Sequence, residues 1–402
     1  MNQGERKRAH LKLAAPQSEE EIRLVKAGER RAHFHQFVSW STSLILLGMM
    51  AVGTYLVLVN QSFSSARTLM VHGRITSDVN SYEYFTGGFI QYNRDGVSFL
   101  NRRNEEQWFQ LKPMNNPITG RTEDIFVIAD AGGDTILVFN RHGLRGEIAT
   151  SHGVERLSVS NQGIVSALLR NEQEPMILTY DLVGNVLVEN QLMASIHGYP
   201  IGLQMSPDGI VLGVSYVFLE AGVPSSRVIF YNFGPLGEGL MNRQVSEEVF
   251  FDALVAELHF MNDDTIVAVS DRSLILYRGH QVPEKEMVIE LEQEIRNVFH
   301  TQRYVGVVLL NEHRTGYQVR LFDTAGEEIL GKELSGAYSE VRMFGNEIIM
   351  HDGVNVSIVN TAGIVRFRGS LEVYAQFIAP ARGINSYYVI CGDAMRVIHL
   401  TW

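Results

Sequence analysis

The chain predicts an all-β fold, an eight-bladed β-propeller with seven blades as the alternative count, preceded by one transmembrane helix and a short cytoplasmic helix. Three observations carry that reading. Residues 37–59 run for 23 positions without one Asp, Glu, Lys or Arg. After them a five-residue apolar signature returns eight times. The composition, 45% apolar and 20% charged, supplies enough apolar side chain for a substantial core in the body.

Taken in chain order, residues 1–36 are a basic head. Eight Lys or Arg (Arg6, Lys7, Arg8, Lys12, Arg23, Lys26, Arg30, Arg31) stand against five Glu, a balance of +3 in a chain of net charge -11. The remainder therefore carries -14, which makes the body unsuited to nucleic acid, where affinity rests on neutralising phosphates. Ser18 followed by Glu21 has the form of a capping box, so a helix is expected from about residue 19 to 31. It reads either as a juxtamembrane helix with Arg30 and Arg31 near anionic headgroups or as a docking site for a cytoplasmic partner.

Residues 37–59 would span roughly 34 Å as a helix, enough for a hydrocarbon core about 30 Å thick. The basic flank is the N-terminal one, so the N-terminus is placed in the cytoplasm and the body outside. A cleaved signal peptide would have a shorter apolar region nearer the start, followed by a small-x-small site, so a retained anchor is expected. Gly48 and Gly53 are five apart, and no close-packing partner helix is implied. Residues 60–67 form a linker of at most roughly 28 Å, which keeps the body close to the membrane. The single cysteine, Cys391, allows no intramolecular disulfide, a usage that suits the outer surface of a Gram-positive cell.

From residue 68 to 402 the pattern is short apolar runs cut by Gly, Asn and Asp. The signature is apolar at its first, third and fourth positions. It ends at Asn101, Asn140, Asp181, Asn232, Arg278, Asp323, Asn360 and Thr401, seven steps averaging near 43 residues. Thr179 and His399 depart from it. Four copies continue to a glycine three residues on (Gly143, Gly184, Gly326, Gly363), the chemistry of a hairpin with a bulge. A second apolar run precedes each copy and a third precedes most. With the strand after the turn, each repeat holds four antiparallel strands, one propeller blade. Solenoid repeats are usually shorter, and a pair of sandwiches would not keep one signature through eight turns. The last repeat lacks an outer strand and 68–76 is a strand to spare, so pairing the two is expected to close the ring.

The signature with its Asn/Asp-x-x-Gly turns, and Ser206-Pro207-Asp208-Gly209 ahead of a strand, resemble WD40-like and quinoprotein-like propellers. The layout of basic head, single span and cysteine-poor propeller resembles an uncharacterised family of membrane-anchored propeller proteins of Gram-positive bacteria, filed as domain of unknown function 5711. That resemblance implies a fold and a location, and no activity. The Trp-Asp dipeptide is missing, as are the tryptophan-docking motif and adjacent cysteine pair of quinoprotein dehydrogenases, so no quinone cofactor is expected.

No nucleophile elbow, zinc-protease pair, phosphate loop, EF-hand loop or sialidase-type Asp box is present. Asn262-Asp263-Asp264, and Asp130 with Asp134, suit turns better than calcium. His259, His300, His313, His351 and His399 lack metal spacing. No catalytic, cofactor or metal residue is therefore nominated. Function is sought in the longest interruptions, 215–226, 236–252, 310–317 and 112–123, assigned to the loops between second and third strands and between blades. Tyr216, Phe218, Arg227, Arg243, Phe250, Phe251, Arg314 and Tyr317 are the candidate partner-binding residues there, of types enriched at interface hot spots. The expectation is a non-catalytic binding or scaffolding module at the cell surface, with a protein or other cell-envelope partner. The alternative is a propeller-type hydrolase or lyase acting on surface glycan or peptide. Acidic, His or Arg residues clustered in the central channel with shifted pKa values would favour the enzyme.

Overall fold

The structure is a computed structural model describing residues 19–73, 80–171, 174–191, 197–310, 316–334 and 338–402. The chain divides into two units, Met1–Gln61 and Ser62–Trp402.

The first unit holds one helix, α1 (Glu19–Val59), of 41 residues, roughly 60 Å long. The break expected between a helix ending near 31 and the apolar span is absent. Residues 32–36 contain neither Gly nor Pro, so nothing stops the helix once it is nucleated. Within it Trp40–Leu58 is long and apolar enough to cross a membrane. Its apolar side chains face outward all round, from Trp40 and Leu44 to Tyr55 and Val57. The hydroxyls of Ser41 and Thr54 donate to the carbonyls of Val38 and Met50, both at 2.9 Å, so neither is left unpaired in an apolar setting. Ser18, the expected cap, lies outside the described residues.

The second unit is eight four-stranded antiparallel sheets, an eight-bladed propeller. Blades 1 to 7 occupy residues 81–111, 117–149, 153–191, 199–250, 257–290, 295–334 and 340–370. Blade 8 takes residues 377–401 and one strand from the other end of the unit. Every signature copy lies on the third strand of its blade. Thr135–Asn140, for example, buries Ile136, Leu137, Val138 and Phe139 completely or nearly so. Both faces of that strand are covered by neighbouring blades, which is why its apolar run is continuous instead of alternating. Eight apolar clusters, each shared by two adjacent blades, run round the ring.

Five of the turns after the third strands, those of blades 1, 2, 3, 6 and 7, follow one plan. The side-chain oxygen of Asp181 accepts the backbone N–H of Val183 and Asn185, and that of Asp323 accepts those of Ala325 and Glu327. The glycine three residues on takes a positive φ, +89° at Gly184 and +80° at Gly326. Blade 1 has the same turn with Asn104 (φ 59°) in the glycine's place, a fifth copy of the turn that its lack of glycine hid. In the outer strands that follow, one extra residue bulges out opposite the signature.

Blade 8 is completed by Ser65–His72, which lies antiparallel to Met395–Thr401 with Ser65 opposite Thr401 and His72 opposite Met395. The strand begins three residues before the run read from the sequence; residues 74–76 of that run lie outside the described residues. The segment leading into it is also held. The Phe63 N–H donates to the Arg366 carbonyl at 2.7 Å, Ser62 Oγ donates to the Val365 carbonyl at 2.8 Å, and the Phe63 and Trp402 rings are 5.1 Å apart.

Arg366 is the bulge residue of the outer strand of blade 7, Val365–Ser370. Its side chain is 2% exposed and is the largest among the fully buried ones. It pairs with Glu347, donates to Asn385 Oδ1, and reaches the Ile384 carbonyl at 3.2 Å and Tyr387 Oη at 3.3 Å. Tyr387 donates in turn to Glu347 at 2.9 Å; its burial, and then the carboxylate, hold its phenol protonated. One guanidinium thus ties blade 7 to blade 8 beside the closing strand.

Candidate functional site

Blade 4 is built unlike its neighbours. Its second and third strands, Val211–Glu220 and Val223–Asn232, are ten residues each. Ala221 (φ 50°) and Gly222 (φ 84°) join them in a two-residue turn whose paired positive φ values match strand twist. The stretch 215–226, read as a loop, is therefore a β-ribbon. Pro224 and Ser225-Ser226 hid it, being poor strand formers that a paired hairpin nonetheless accepts. The first strand, Tyr199–Met205, pairs only as far as Val217, and the outer strand, Gln244–Phe250, only as far as Ser226. Among the described residues Phe218, Leu219 and Glu220 pair only with the returning strand, so the tip extends past the first and outer strands. Leu219 is 71% exposed, and Phe251, at the same end of the blade, 67%.

The candidate residues separate on this scaffold. Phe218 is half-buried under the Arg227 guanidinium at 5.3 Å, and Arg227 pairs with Glu247 at 3.0 Å. Phe250 is half-buried against the cluster between blades 4 and 5, with the Lys285 ammonium 5.7 Å from its ring centre. These three and Phe251 lie on one blade, three at the ribbon end. Tyr216 is wholly buried, its hydroxyl 2.7 Å from that of Tyr231, and burial raises the pKa of both, that of Tyr231 to about 12. It is core, because inward and outward positions alternate along the ribbon. Arg243 lies in the connection before the outer strand, at the other end of the blade, and donates to the Phe233 carbonyl at 3.4 Å. Tyr317 opens the third strand of blade 6, half-buried against the cluster between blades 6 and 7. Arg314 and His313 lie outside the described residues, with the rest of 311–315.

Two other presumed loops are partly regular. Residues 236–252 contain most of a short helix, α2 (Pro235–Glu238), and the outer strand Gln244–Phe250; residues 112–123 contain the first strand of blade 2, Pro117–Arg121. The outer strand faces solvent and so lacks the apolar pattern that marks the others. Leu219 and Tyr199, exposed at the ribbon end, were not nominated; Leu219 had as its signal only an apolar residue near Ala221-Gly222.

The central channel is lined by the innermost strands and holds ionisable side chains that engage one another. Glu83 receives Arg121 at 3.4 Å and Arg342 at 3.7 Å, and Arg342 also pairs with Glu340. Gln302 donates to Glu123 at 2.9 Å between blades 6 and 2, which stand opposite in the ring, so the channel is bridged at that end. His259 pairs with Glu257 at 3.0 Å and stacks on His300 with ring centres 4.2 Å apart. His300 is open to the channel yet walled by protein; that desolvation, then His259 and Arg121, push its pKa down to about 3. The His259 bond holds Glu257 below the ordinary carboxylate range. A neutral imidazole and a firmly ionised carboxylate are both removed from the neutral range in which proton transfer is most effective.

The acidic turns read as possible calcium ligands are occupied by backbone. Asp130 Oδ1 accepts the N–H groups of Asn115 and Asn116, Asn262 Oδ1 that of Asp264, and Asp263 Oδ1 that of Asp208. Among the described residues no three His, Cys, Asp or Glu side chains gather as a metal site would require.

A rigid ring carrying one raised ribbon defines a β-propeller scaffold. The chain belongs to DUF5711, a family of unknown function whose model matches residues 59–400. No curated protein matches it in sequence. Its fold is similar to that of BamB from Moraxella catarrhalis, at 12% identity and a TM-score of 0.51, over 84% of this chain and 100% of that one. It is similar as well to Sqt1 of Saccharomyces cerevisiae, at 10% identity and 0.52, over 83% and 99%, and to a eukaryotic initiation factor, at 11% and 0.53, over 82% and 87%. At such identities the likeness is one of fold.

Proposed function

We propose that this protein is a non-catalytic binding or scaffolding module, anchored by residues 37–59 with its N-terminus in the cytoplasm and its propeller outside, and that the ribbon of blade 4 receives a protein partner. The raised tip carries the reading: exposed Leu219 and Phe251 on a hydrogen-bonded ribbon offer apolar contact at little ordering cost. The layout of head and span supports the location. A hydrolase or lyase would need acid and base groups free to face a substrate, and the channel residues Glu83, Arg121, Arg342, Glu257 and His259 pair with each other instead.

A photo-crosslinking residue at position 219 or 251 in intact cells tests it. We expect a discrete adduct from both, lost on the change Leu219→Glu with Phe251→Glu, and none from position 183, where Val183 is equally exposed on a distant turn of blade 3. Equal background from all three positions would remove the ribbon from the proposal. Protease added to intact cells should digest the propeller; digestion only after permeabilisation would reverse the topology.

A further inference from the structure

We propose that a cleft where blades 8, 1 and 2 meet is an anion site, taking a ligand with two or more phosphate groups. The cleft, about 860 Å³, lies at hairpin turns whose positions in the strands are opposite to those of the blade 4 ribbon tip. Arg102 and Arg103 reach it from the third turn of blade 1, Arg141 and His142 from that of blade 2, Arg382 from the first turn of blade 8, and His72 from the closing strand. Among the described residues no Asp or Glu lines it, in a body that carries -14 overall.

The cations are held in place by the fold. Asn101 Oδ1 accepts the N–H of Arg103 at 2.8 Å and that of Glu105 at 3.1 Å, fixing the turn that carries both arginines of blade 1. Glu105, the acid of that turn, is engaged by Asn101 Nδ2 at 2.7 Å. Arg102 Nε donates to the Gly87 carbonyl at 2.7 Å, and a Cβ at Gly87 would sit 2.5 Å from its Nη2, so glycine leaves the guanidinium its place. Trp108 forms a firm wall, stacked on Phe139 at 4.9 Å and donating from Nε1 to the Arg141 carbonyl at 3.1 Å. Arg141 Nε donates to His142 Nε2 at 3.0 Å. Among the described residues none of Arg102, Arg103, Arg141 and Arg382 pairs with a carboxylate, whereas all fifteen ion pairs found there use other Arg, Lys or His side chains. The field of Arg102 and Arg382 reaches Tyr388, opposing the upward push that burial gives its phenol.

Four guanidiniums lining one cleft repel one another, and a multiply charged anion between them relieves that repulsion. Their planar forks bind phosphate oxygens two at a time, and each phosphate group offers more charge and more acceptors than a carboxylate. The volume accommodates a chain of two or three phosphates.

The test titrates the full chain, in neutral-lipid nanodiscs, with inorganic tripolyphosphate by calorimetry. We expect saturable binding to one site that weakens as salt rises. Arg103→Ala with Arg382→Ala should weaken it at least tenfold with an unchanged melting temperature, since neither side chain bonds to any of the described residues. Arg272→Ala, on a turn of blade 5, should leave it unchanged, and citrate should bind at least tenfold more weakly. Absence of saturable binding, equal affinity for citrate, or full affinity in the double variant would overturn the proposal. Nanodiscs containing anionic phospholipid identify the source: competition that vanishes in the double variant assigns a lipid headgroup, and undiminished affinity assigns a soluble phosphorylated ligand.

Discussion

At the junction of blades 7 and 8 the Arg366 guanidinium is sealed among Glu347, Asn385 and Tyr387, whereas at the junction of blades 8 and 1 those of Arg102, Arg103 and Arg382 face an open cleft without a carboxylate. The two junctions flank the same blade and use the same residue type. In the first, burial demands compensation, and the fold supplies it from the neighbouring blade. In the second, water and counter-ions carry the charge until a ligand does. Arginine by itself therefore marks neither structure nor function; what surrounds it decides.

The largest effect should come from breaking the compensated side. Arg366→Ala strands Glu347 in a mostly buried site and removes about 3 to 5 kcal/mol. A thermal melt should fall by about 10 °C. Arg366→Met with Glu347→Leu should recover most of that loss, since two apolar residues leave no orphan charge. Phe63→Ala, which empties a place in the cluster beneath the closing strand, should cost about 3 kcal/mol and speed amide exchange in Ser65–His72 above that in the strands of blade 5.

On the open side the effects shrink. Asn104→Ala should cost about 1 to 2 kcal/mol by calorimetry, because alanine pays for the positive φ and loses the 3.3 Å bond from Nδ2 to the His72 carbonyl. The channel is an intermediate case. Below pH 6.5 the unfolded chain protonates His300, while the folded one does so only near pH 3, so stability should fall as pH drops between those values. His300→Gln should flatten that part of a pH–stability curve. Smallest of all, Arg103→Ala with Arg382→Ala should leave unfolding in urea within about 0.5 kcal/mol of the wild type; a large loss would make the cleft structural.

The same contrast explains what could be read from the sequence. The eight third strands were legible because each is packed on both faces by its neighbours, so each copy meets the same environment and keeps the same apolar positions. The outer strands, such as Gln244–Phe250 with its Ser246, Glu247 and Glu248, have one wet face and read as loop. Asn104 escaped the turn pattern by standing in for glycine. Ribbon residues were nominated on loop length, which gathered Phe218, Arg227 and Phe251 but also core Tyr216 and the remote Arg243. Nothing in the sequence marks Arg366 as buried, since its burial depends on a bulge and on the adjacent blade. The cleft was invisible: Arg102 and Arg382 lie at opposite ends of the propeller sequence and meet only when the ring is closed.

Closure has a consequence for synthesis. Ser65 meets Thr401 across 336 intervening steps of chain, which a ribosome adding about 5 to 20 residues per second covers in about 20 to 70 seconds. Over that interval blades 1 to 7 can form in order as they emerge, each on the one before, while Ser65–His72 has no sheet to join. Blade 8 is the last to be made and the only one that must reach back for a strand. An interrupted translation product would carry a bare sheet edge and an orphaned strand, two adhesive ends that proteases and chaperones can recognise.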